Sequence, residues 1–265
     1  MPVLVRLIAC IGLILCAGSL SAQQNSLPLI LQEDFEQGMA RWKPTDDPTN
    51  GVWKIVEVEA GSREPAEAGK LGAGSKETNI APGTSARKNH ALRVTGQSKY
   101  EPPHRSPHSI AWLKDVVVKD FVLTVRVQNT RPDAGPHRDL CFFWGYQDPA
   151  HYYYVHLGAR PDPAACQIFI VNDAPRTAIT VQEAKGTPWT NDWHNVKIVR
   201  RVADGTMEVY FDDMEKPLMT AKDTKFGAGL VGLGTFDDHG HFDDVVLRGE
   251  KVIAESKEQG AASSN

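Results

Sequence analysis

The fold is decided by five segments in the middle of the chain: FVLTVRVQN (121–129), DLCFFWGY (139–146), YYYVHL (152–157), CQIFIV (166–171) and RTAIT (176–180). Each is short and rich in β-branched or aromatic residues, and the links between them are rich in Pro, Gly, Asn and Asp, which favour turns. No long stretch of the chain has the 3.6-residue apolar period of a helix. The sequence therefore predicts an all-β protein, a sandwich or a barrel.

Consecutive strands with short links usually pair antiparallel, so we expect these five to lie side by side in one sheet. Folding each link symmetrically predicts a core face that carries Val125, Val127, Cys141, Phe143, Val155, Leu157, Cys166, Ile168 and Ile179. Side chains alternate along a strand, so the opposite face carries Arg126, Phe142, Trp144, Tyr146, Tyr152, Tyr154, His156, Gln167, Phe169 and Arg176.

This register makes a prediction about two cysteines. Cys141 and Cys166 would share the core face with one strand between them, about 10 Å apart. A disulfide needs Cα atoms within about 7 Å. We therefore expect two buried free thiols.

The second face is aromatic and carries polar groups among the rings. Exposed aromatic rings suit the C–H faces of sugars, so we expect a concave glycan-binding surface here. The ligand-binding residues would be Trp144, Tyr146, Tyr152, Phe169 and Arg176. The alternative is that a loop, the N-terminal segment or a partner simply covers these rings.

The same face offers groups for catalysis. His156 would act as the base and Tyr154 as the acid of a β-elimination on a uronic-acid polysaccharide, while Arg126 and Gln167 neutralise the sugar carboxylate. The predicted face has no Asp or Glu, which disfavours a two-carboxylate glycosidase. Binding without catalysis and catalysis on this face both stay open.

An acidic cluster, DDHGHFDD (237–244), follows later in the chain. Carboxylates are the oxygen ligands that Ca²⁺ prefers. We expect one structural Ca²⁺ held by Asp244 together with Asp34 of the acidic segment 33–36.

The net charge and the two termini of the sequence limit the remaining possibilities. The 265 residues carry a net charge of −4, which argues against nucleic acid as a partner. Residues 1–22 have the pattern of a signal peptide, with an apolar run too short to span a bilayer. We expect no membrane span, one domain over residues 23–250, a disordered tail over 251–265, and a secreted or periplasmic location.

Four motifs resemble concanavalin A-like lectin/glucanase jelly-roll domains: LQEDFEQG (31–38), WHNVKIVR (193–200), EVYFDD (208–213), and GLVGLGTF (229–236) followed by FDDV (242–245). The similarity covers about residues 31–249 and extends to laminin-G-like and 3-keto-disaccharide-hydrolase-like domains of secreted bacterial proteins. It implies a two-sheet antiparallel jelly-roll β-sandwich, carbohydrate binding or processing, and often one structural Ca²⁺. It implies no particular catalytic residue.

The expected function is recognition of an oligo- or polysaccharide on the aromatic face. The alternatives are an enzyme on that face, either a uronic-acid polysaccharide lyase or a keto-sugar hydrolase or lyase, and an adhesion module without a sugar ligand.

Overall fold

The computed structural model describes residues 27–59 and 89–252. The predicted signal peptide and nearly all of the predicted tail lie outside these residues. The strands are β1 (Leu29–Glu33), β2 (Trp42–Pro44), β3 (Trp53–Val58), β4 (Asn89–Thr95), β5 (Ser109–Leu113), β6 (Val118–Asn129), β7 (Cys141–Asp148), β8 (His151–His156), β9 (Gln167–Asn172), β10 (Thr177–Ala178), β11 (Thr180–Gln182), β12 (His194–Arg200), β13 (Thr206–Phe211), β14 (Met219–Lys222), β15 (Leu230–Thr235) and β16 (His239–Lys251). Two short 3₁₀ segments, Pro48–Asn50 and Pro132–His137, lie in the connections.

The strands form two antiparallel sheets. One has nine strands in the order β11-β14-β13-β12-β6-β16-β4-β3, with β1 paired to β16 beside β4. The other has seven strands in the order β10-β9-β8-β7-β15-β5-β2. The prediction of an all-β, two-sheet antiparallel jelly-roll sandwich is confirmed.

The main core lies between the sheets. Leu123, Val125 and Val127 of β6 belong to the same buried cluster as Phe142 and Trp144 of β7. Burying an apolar side chain of this size contributes roughly 1.5–3 kcal/mol, so this cluster supplies most of the force that holds the two layers together.

One predicted pairing is wrong. β6 lies in the nine-stranded sheet between β12 and β16, whereas β7 lies in the seven-stranded sheet between β8 and β15. The link between them, which contains Pro132–His137, crosses from one sheet to the other instead of forming a hairpin. Arg126 therefore does not share a sheet with His156.

The predicted register of β7 with β8 is also wrong, by one residue. Cys141 pairs with His156, not with Leu157, and Trp144 pairs with Tyr153. The cause is a bulge between Trp144 and Asp148, where Gly145 has a φ of 61°. A one-residue shift exchanges the two faces of a strand, so Phe142 and Trp144 point into the main core and Cys141 and Phe143 point outward.

The next two pairings are correct. His156 faces Gln167 and Tyr154 faces Phe169 across β8 and β9, and Phe169 faces Ala178 of β10. Cys141 and Cys166 are buried and free, as predicted, but the reason differs. They belong to clusters on opposite sides of the seven-stranded sheet.

Candidate functional site

The outer face of the seven-stranded sheet is aromatic, as predicted, but its membership differs. It carries Trp112, Phe143, Tyr146, Tyr152, Tyr154 and Phe169. Tyr154 stacks on Phe169 with ring centroids 5.1 Å apart, and Trp112 lies 3.9 Å from Tyr146. Trp144 is replaced by Phe143 because of the register shift. Trp112 was missed because its strand lies outside the five segments that fixed the prediction.

Glycines allow the rings to lie flat across this face. A Cβ on Gly232 would come within 2.8 Å of the Trp112 ring, and one on Gly234 would come within 2.0 Å of the Ser109 carbonyl oxygen. Strand β15, which lies between β5 and β7, thus has no outward side chain at these two positions, and the rings of β5 and β7 close over it.

This face is covered. Tyr152 is 1% exposed, Tyr154 is fully buried, and Phe169 is 2% exposed. The guanidinium of Arg176 lies over the rings of Phe169 and Phe236, 4.7 and 4.6 Å from their centroids. The alternative of simple coverage therefore describes these rings better than an exposed binding surface does.

The segment that precedes β5 adds to this cover. The Arg176 backbone N–H donates to the Arg105 carbonyl at 3.2 Å, and the His108 ring packs edge-on against Phe236 at 5.2 Å. Ser106, whose hydroxyl donates to the His104 carbonyl at 3.0 Å, is fully buried.

The predicted base and acid lie on this face but are closed off. Tyr154 accepts a hydrogen bond from Arg176 Nη1 at 2.9 Å, and burial raises the pKa of its hydroxyl well above the usual range. His156 is 6% exposed and stacks on Phe236. Gln167 faces His156 as predicted, whereas Arg126 lies in the other sheet. The catalytic roles stay predictions, and both side chains are buried.

His156 contacts a carboxylate that the sequence did not indicate. Its Nε2 lies 3.2 Å from Asp139 Oδ2. Asp139 Oδ1 accepts hydrogen bonds from the Thr235 hydroxyl at 2.8 Å and the Phe236 N–H at 3.2 Å. Burial would raise the pKa of Asp139, but the His156 ring and these hydrogen bonds outweigh it and lower that pKa.

Around Arg126, the outer face of the nine-stranded sheet contrasts with the covered one, because its side chains there are polar and part-exposed; elsewhere on this face Val122, Val199 and Tyr210 form a buried apolar cluster. Arg126 Nη1 lies 3.0 Å from Asp244 Oδ2, and its guanidinium lies 4.9 Å from the centroid of the Trp193 ring. Trp193 in turn lies 6.0 Å from the His241 ring. None of these four side chains is fully buried.

A row of polar residues crosses four neighbouring strands beside Trp193. Lys54 of β3 faces Arg93 of β4, Arg93 faces His241 of β16, and His241 faces Gln128 of β6. We call these four residues the basic row. His241 Nδ1 lies 3.2 Å from Gln128 Oε1, and burial with the nearby Arg93 charge lowers the pKa of His241 to about 4. His241 is therefore neutral near pH 7, and Lys54 and Arg93 carry the positive charge of the row.

The two residues predicted to hold calcium are engaged elsewhere. Asp34 is exposed, and its carboxylate accepts the Glu36 N–H at 3.2 Å. Asp244 is paired with Arg126, whose guanidinium competes with any cation at that carboxylate. This pair does not fit the expected site, and calcium binding stays a prediction.

A polar cleft lies near the 3₁₀ segment Pro48–Asn50. It is lined by Thr45, Asp46, Asp47, Thr49, Asn50, Lys99 and Tyr100. Asp46 is buried and accepts hydrogen bonds from Ser98 Oγ at 2.7 Å and from the Lys99 N–H at 3.0 Å. These contacts fix the cleft wall and leave Asp47 and Lys99 exposed.

No protein-family model matches this sequence, and a search of curated proteins finds no significant relative. Among solved structures, the chain is similar to the carbohydrate-binding module CBM66 from Bacillus subtilis, with 17% identity over 59% of this chain and 94% of that one and a TM-score of 0.44. It is also similar to domain 4 of AbnA, a GH43 extracellular arabinanase from Geobacillus stearothermophilus, solved with arabinotriose. That match has 13% identity over 86% of this chain and 95% of that one, with a TM-score of 0.45.

A third similar structure is the cellulose induced protein Cip1, with 11% identity over 85% of this chain and all of that one and a TM-score of 0.49. Jelly-roll and lectin-type β-sandwiches recur among these matches. At such low identity and similarity they indicate no ligand for this chain. Among the residues that the structure describes, no helix is long and apolar enough to cross a membrane.

Proposed function

We propose that this protein recognises an acidic glycan on the outer face of the nine-stranded sheet. The observation that carries the proposal is the part-exposed Trp193 beside Arg126 and the basic row. An indole ring suits the C–H face of a sugar, and guanidinium groups suit its carboxylate. The predicted export of the chain would bring this face into contact with extracellular or periplasmic polysaccharide.

Charge favours an acidic ligand over a neutral one. Arg126 is paired with the carboxylate of Asp244. Lys54 and Arg93 are instead paired directly with each other across β3 and β4, so two positive charges lie side by side. Like charges placed opposite each other on a sheet are destabilising. A bound uronate would relieve this repulsion, which gives the acidic sugar an advantage that a neutral sugar lacks.

The test is calorimetric titration with oligouronates and with neutral gluco-oligosaccharides of the same length. We expect binding of the acidic series, weakened about tenfold or more by Arg93→Gln. Arg160→Gln is the matched control, because Arg160 is an exposed arginine in the loop after β8. Equal affinity for both series, unchanged by Arg93→Gln, would rule out recognition by charge.

Location is tested separately. Trp193→Ala removes the proposed stacking surface and should weaken binding to a similar degree, whereas Tyr100→Ala alters the wall of the polar cleft. Loss of binding in Tyr100→Ala with none in Trp193→Ala would move the site to the cleft. Absence of any glycan ligand would favour the adhesion module.

Elimination at the aromatic face is the less favoured function. Its two reacting groups, His156 and Tyr154, are buried, and Tyr154 already accepts a hydrogen bond from Arg176. We expect no release of unsaturated uronates, which ultraviolet absorbance would detect. Turnover that is lost in His156→Ala would overturn this assignment.

A further inference from the structure

A cluster of three metal-ligand side chains lies beneath Phe236 at the polar end of the covered face. Asp139 lies two residues before Cys141, which begins β7, and His156 is directly opposite Cys141 in β8. One potential ligand atom from each lies within 4.8 Å of the others. Within the described residues this is the one such group, and its members are unrelated to the proposed glycan face.

The spacing suits a small ion. Zn²⁺ binds nitrogen and oxygen at about 2.0–2.2 Å, so two tetrahedral ligand atoms lie about 3.3 Å apart. His156 Nε2 and Asp139 Oδ2 are 3.2 Å apart. Asp139 is held in place by hydrogen bonds from Thr235 and Phe236 to its other oxygen, which leaves Oδ2 facing the ring.

The histidine also has an unsatisfied atom. His156 Nδ1 is buried and has no hydrogen-bond partner. Buried ring nitrogens are nearly always paired, and no acceptor here fixes a proton on Nδ1. Without an ion, the Asp139 carboxylate accepts the Nε2 proton; an ion between Nε2 and Oδ2 would take the place of that proton, and Nδ1 would then carry the one N–H of the ring.

We propose that Asp139, Cys141 and His156 bind one structural transition-metal ion of the zinc class. Thiolate, imidazole and carboxylate together form the mixed sulfur, nitrogen and oxygen set that Zn²⁺ and Co²⁺ accept. One thiolate and one carboxylate neutralise the divalent charge, as a buried ion requires. The site ties the start of β7 to the end of β8.

The burial of the site defines its character. All three residues are at most 6% exposed, so the fourth tetrahedral position, which none of the three fills, is closed to a substrate and would hold a buried water; the ion would act structurally. Burial keeps the pKa of Cys141 well above the usual range, so the free thiol must lose its proton when the metal binds. Metal affinity should therefore fall at low pH.

The test uses the full chain without a histidine tag. The protein is unfolded in guanidinium and refolded with Zn²⁺ or Co²⁺, because a buried site is best loaded during folding, and is then freed of excess metal. We expect about one ion per chain by elemental analysis, a thiolate-to-cobalt charge-transfer band, and a higher unfolding temperature with metal.

The chain supplies its own matched control. Cys141→Ala should remove the cobalt–thiolate band and the metal-dependent rise in unfolding temperature. Cys166→Ala should keep both, because Cys166 is equally buried and free but lies on the other side of the sheet. Circular dichroism of both variants checks that they fold, and Asp139→Asn gives a second variant that keeps the thiol.

Two results would overturn the proposal. One is a refolded protein that holds only a small fraction of an ion per chain and shows no cobalt–thiolate band. The other is a band that survives in Cys141→Ala or that disappears in Cys166→Ala. Neither result depends on whether the protein binds a glycan.

Discussion

At the scale of single residues, Arg176 holds the cover of the aromatic face in place. Its planar guanidinium lies over both Phe169 and Phe236, and its two terminal nitrogens donate to the Tyr154 hydroxyl and the Ala164 carbonyl. Lysine carries the same charge but cannot stack in a plane or donate in two fixed directions.

Arg176→Lys should therefore lower the free energy of unfolding by about 1–2 kcal/mol. Arg160→Lys, an exposed loop position, should change it by less than about 0.5 kcal/mol. Urea unfolding of both variants measures the difference. Equal small effects in the two variants would mean that the contacts of Arg176 do not stabilise the packing over the aromatic face.

His241 makes stability depend on pH. Burial and Arg93 lower its pKa in the folded protein to about 4, from an ordinary value of 6.5. The unfolded chain thus binds a proton more readily, so this residue's contribution is complete above about pH 6.5 and is lost as the pH falls toward 4. The loss is up to roughly 3 kcal/mol.

His241→Gln keeps a polar partner for Gln128 and removes the titration, so its stability should fall less between pH 6.5 and 4 than that of the wild type. Chemical unfolding at a series of pH values measures the slope, with the exposed His137→Gln as control. Parallel curves for His241→Gln and wild type would show that His241 does not titrate in this range.

At the scale of elements, β15 fits between two sets of aromatic rings only because it presents glycine outward. A Cβ on Gly234 would meet the Ser109 carbonyl oxygen at 2.0 Å and the Phe143 ring at 3.1 Å. Strands β5 and β15 would have to move apart to accommodate this Cβ atom. Gly227, just before β15, has its nearest neighbour at 3.8 Å.

Gly234→Ala should cost at least about 2 kcal/mol or prevent folding, whereas Gly227→Ala should be close to neutral. Thermal unfolding and soluble yield compare the two. A Gly234→Ala variant as stable as wild type would mean that β5 and β15 are not paired as described.

At the scale of the whole molecule, the sequence predicted the class of fold and two of the strand pairings, β8 with β9 and β9 with β10, correctly. Alternation identified the strands, and folding the link between β8 and β9 symmetrically set their register correctly. Two features were not visible in the pattern. A bulge at Gly145 shifts the face of every preceding residue in β7, and a crossing after β6 places two consecutive strands in different sheets.

These two errors account for the misplaced site residues. Trp144 moved into the main core because of the bulge, and Arg126 moved to the opposite sheet because of the crossing. Periodicity also cannot distinguish an exposed aromatic face from a second core, because both show the same alternation. What covers Tyr152 and Phe169 comes from distant segments such as Arg105–Ser106 and Phe236.

The central claim is that the ligand lies on the nine-stranded sheet and not on the aromatic face. Its most direct test is a titration of ¹⁵N-labelled protein with an oligouronate, observed through the indole N–H signals of the six tryptophans. We expect the Trp193 signal to shift, together with backbone signals of β4, β6 and β16, while Trp112 and Trp144 stay unchanged. Shifts of Trp112 and of β7 to β9 without any at Trp193 would contradict the account.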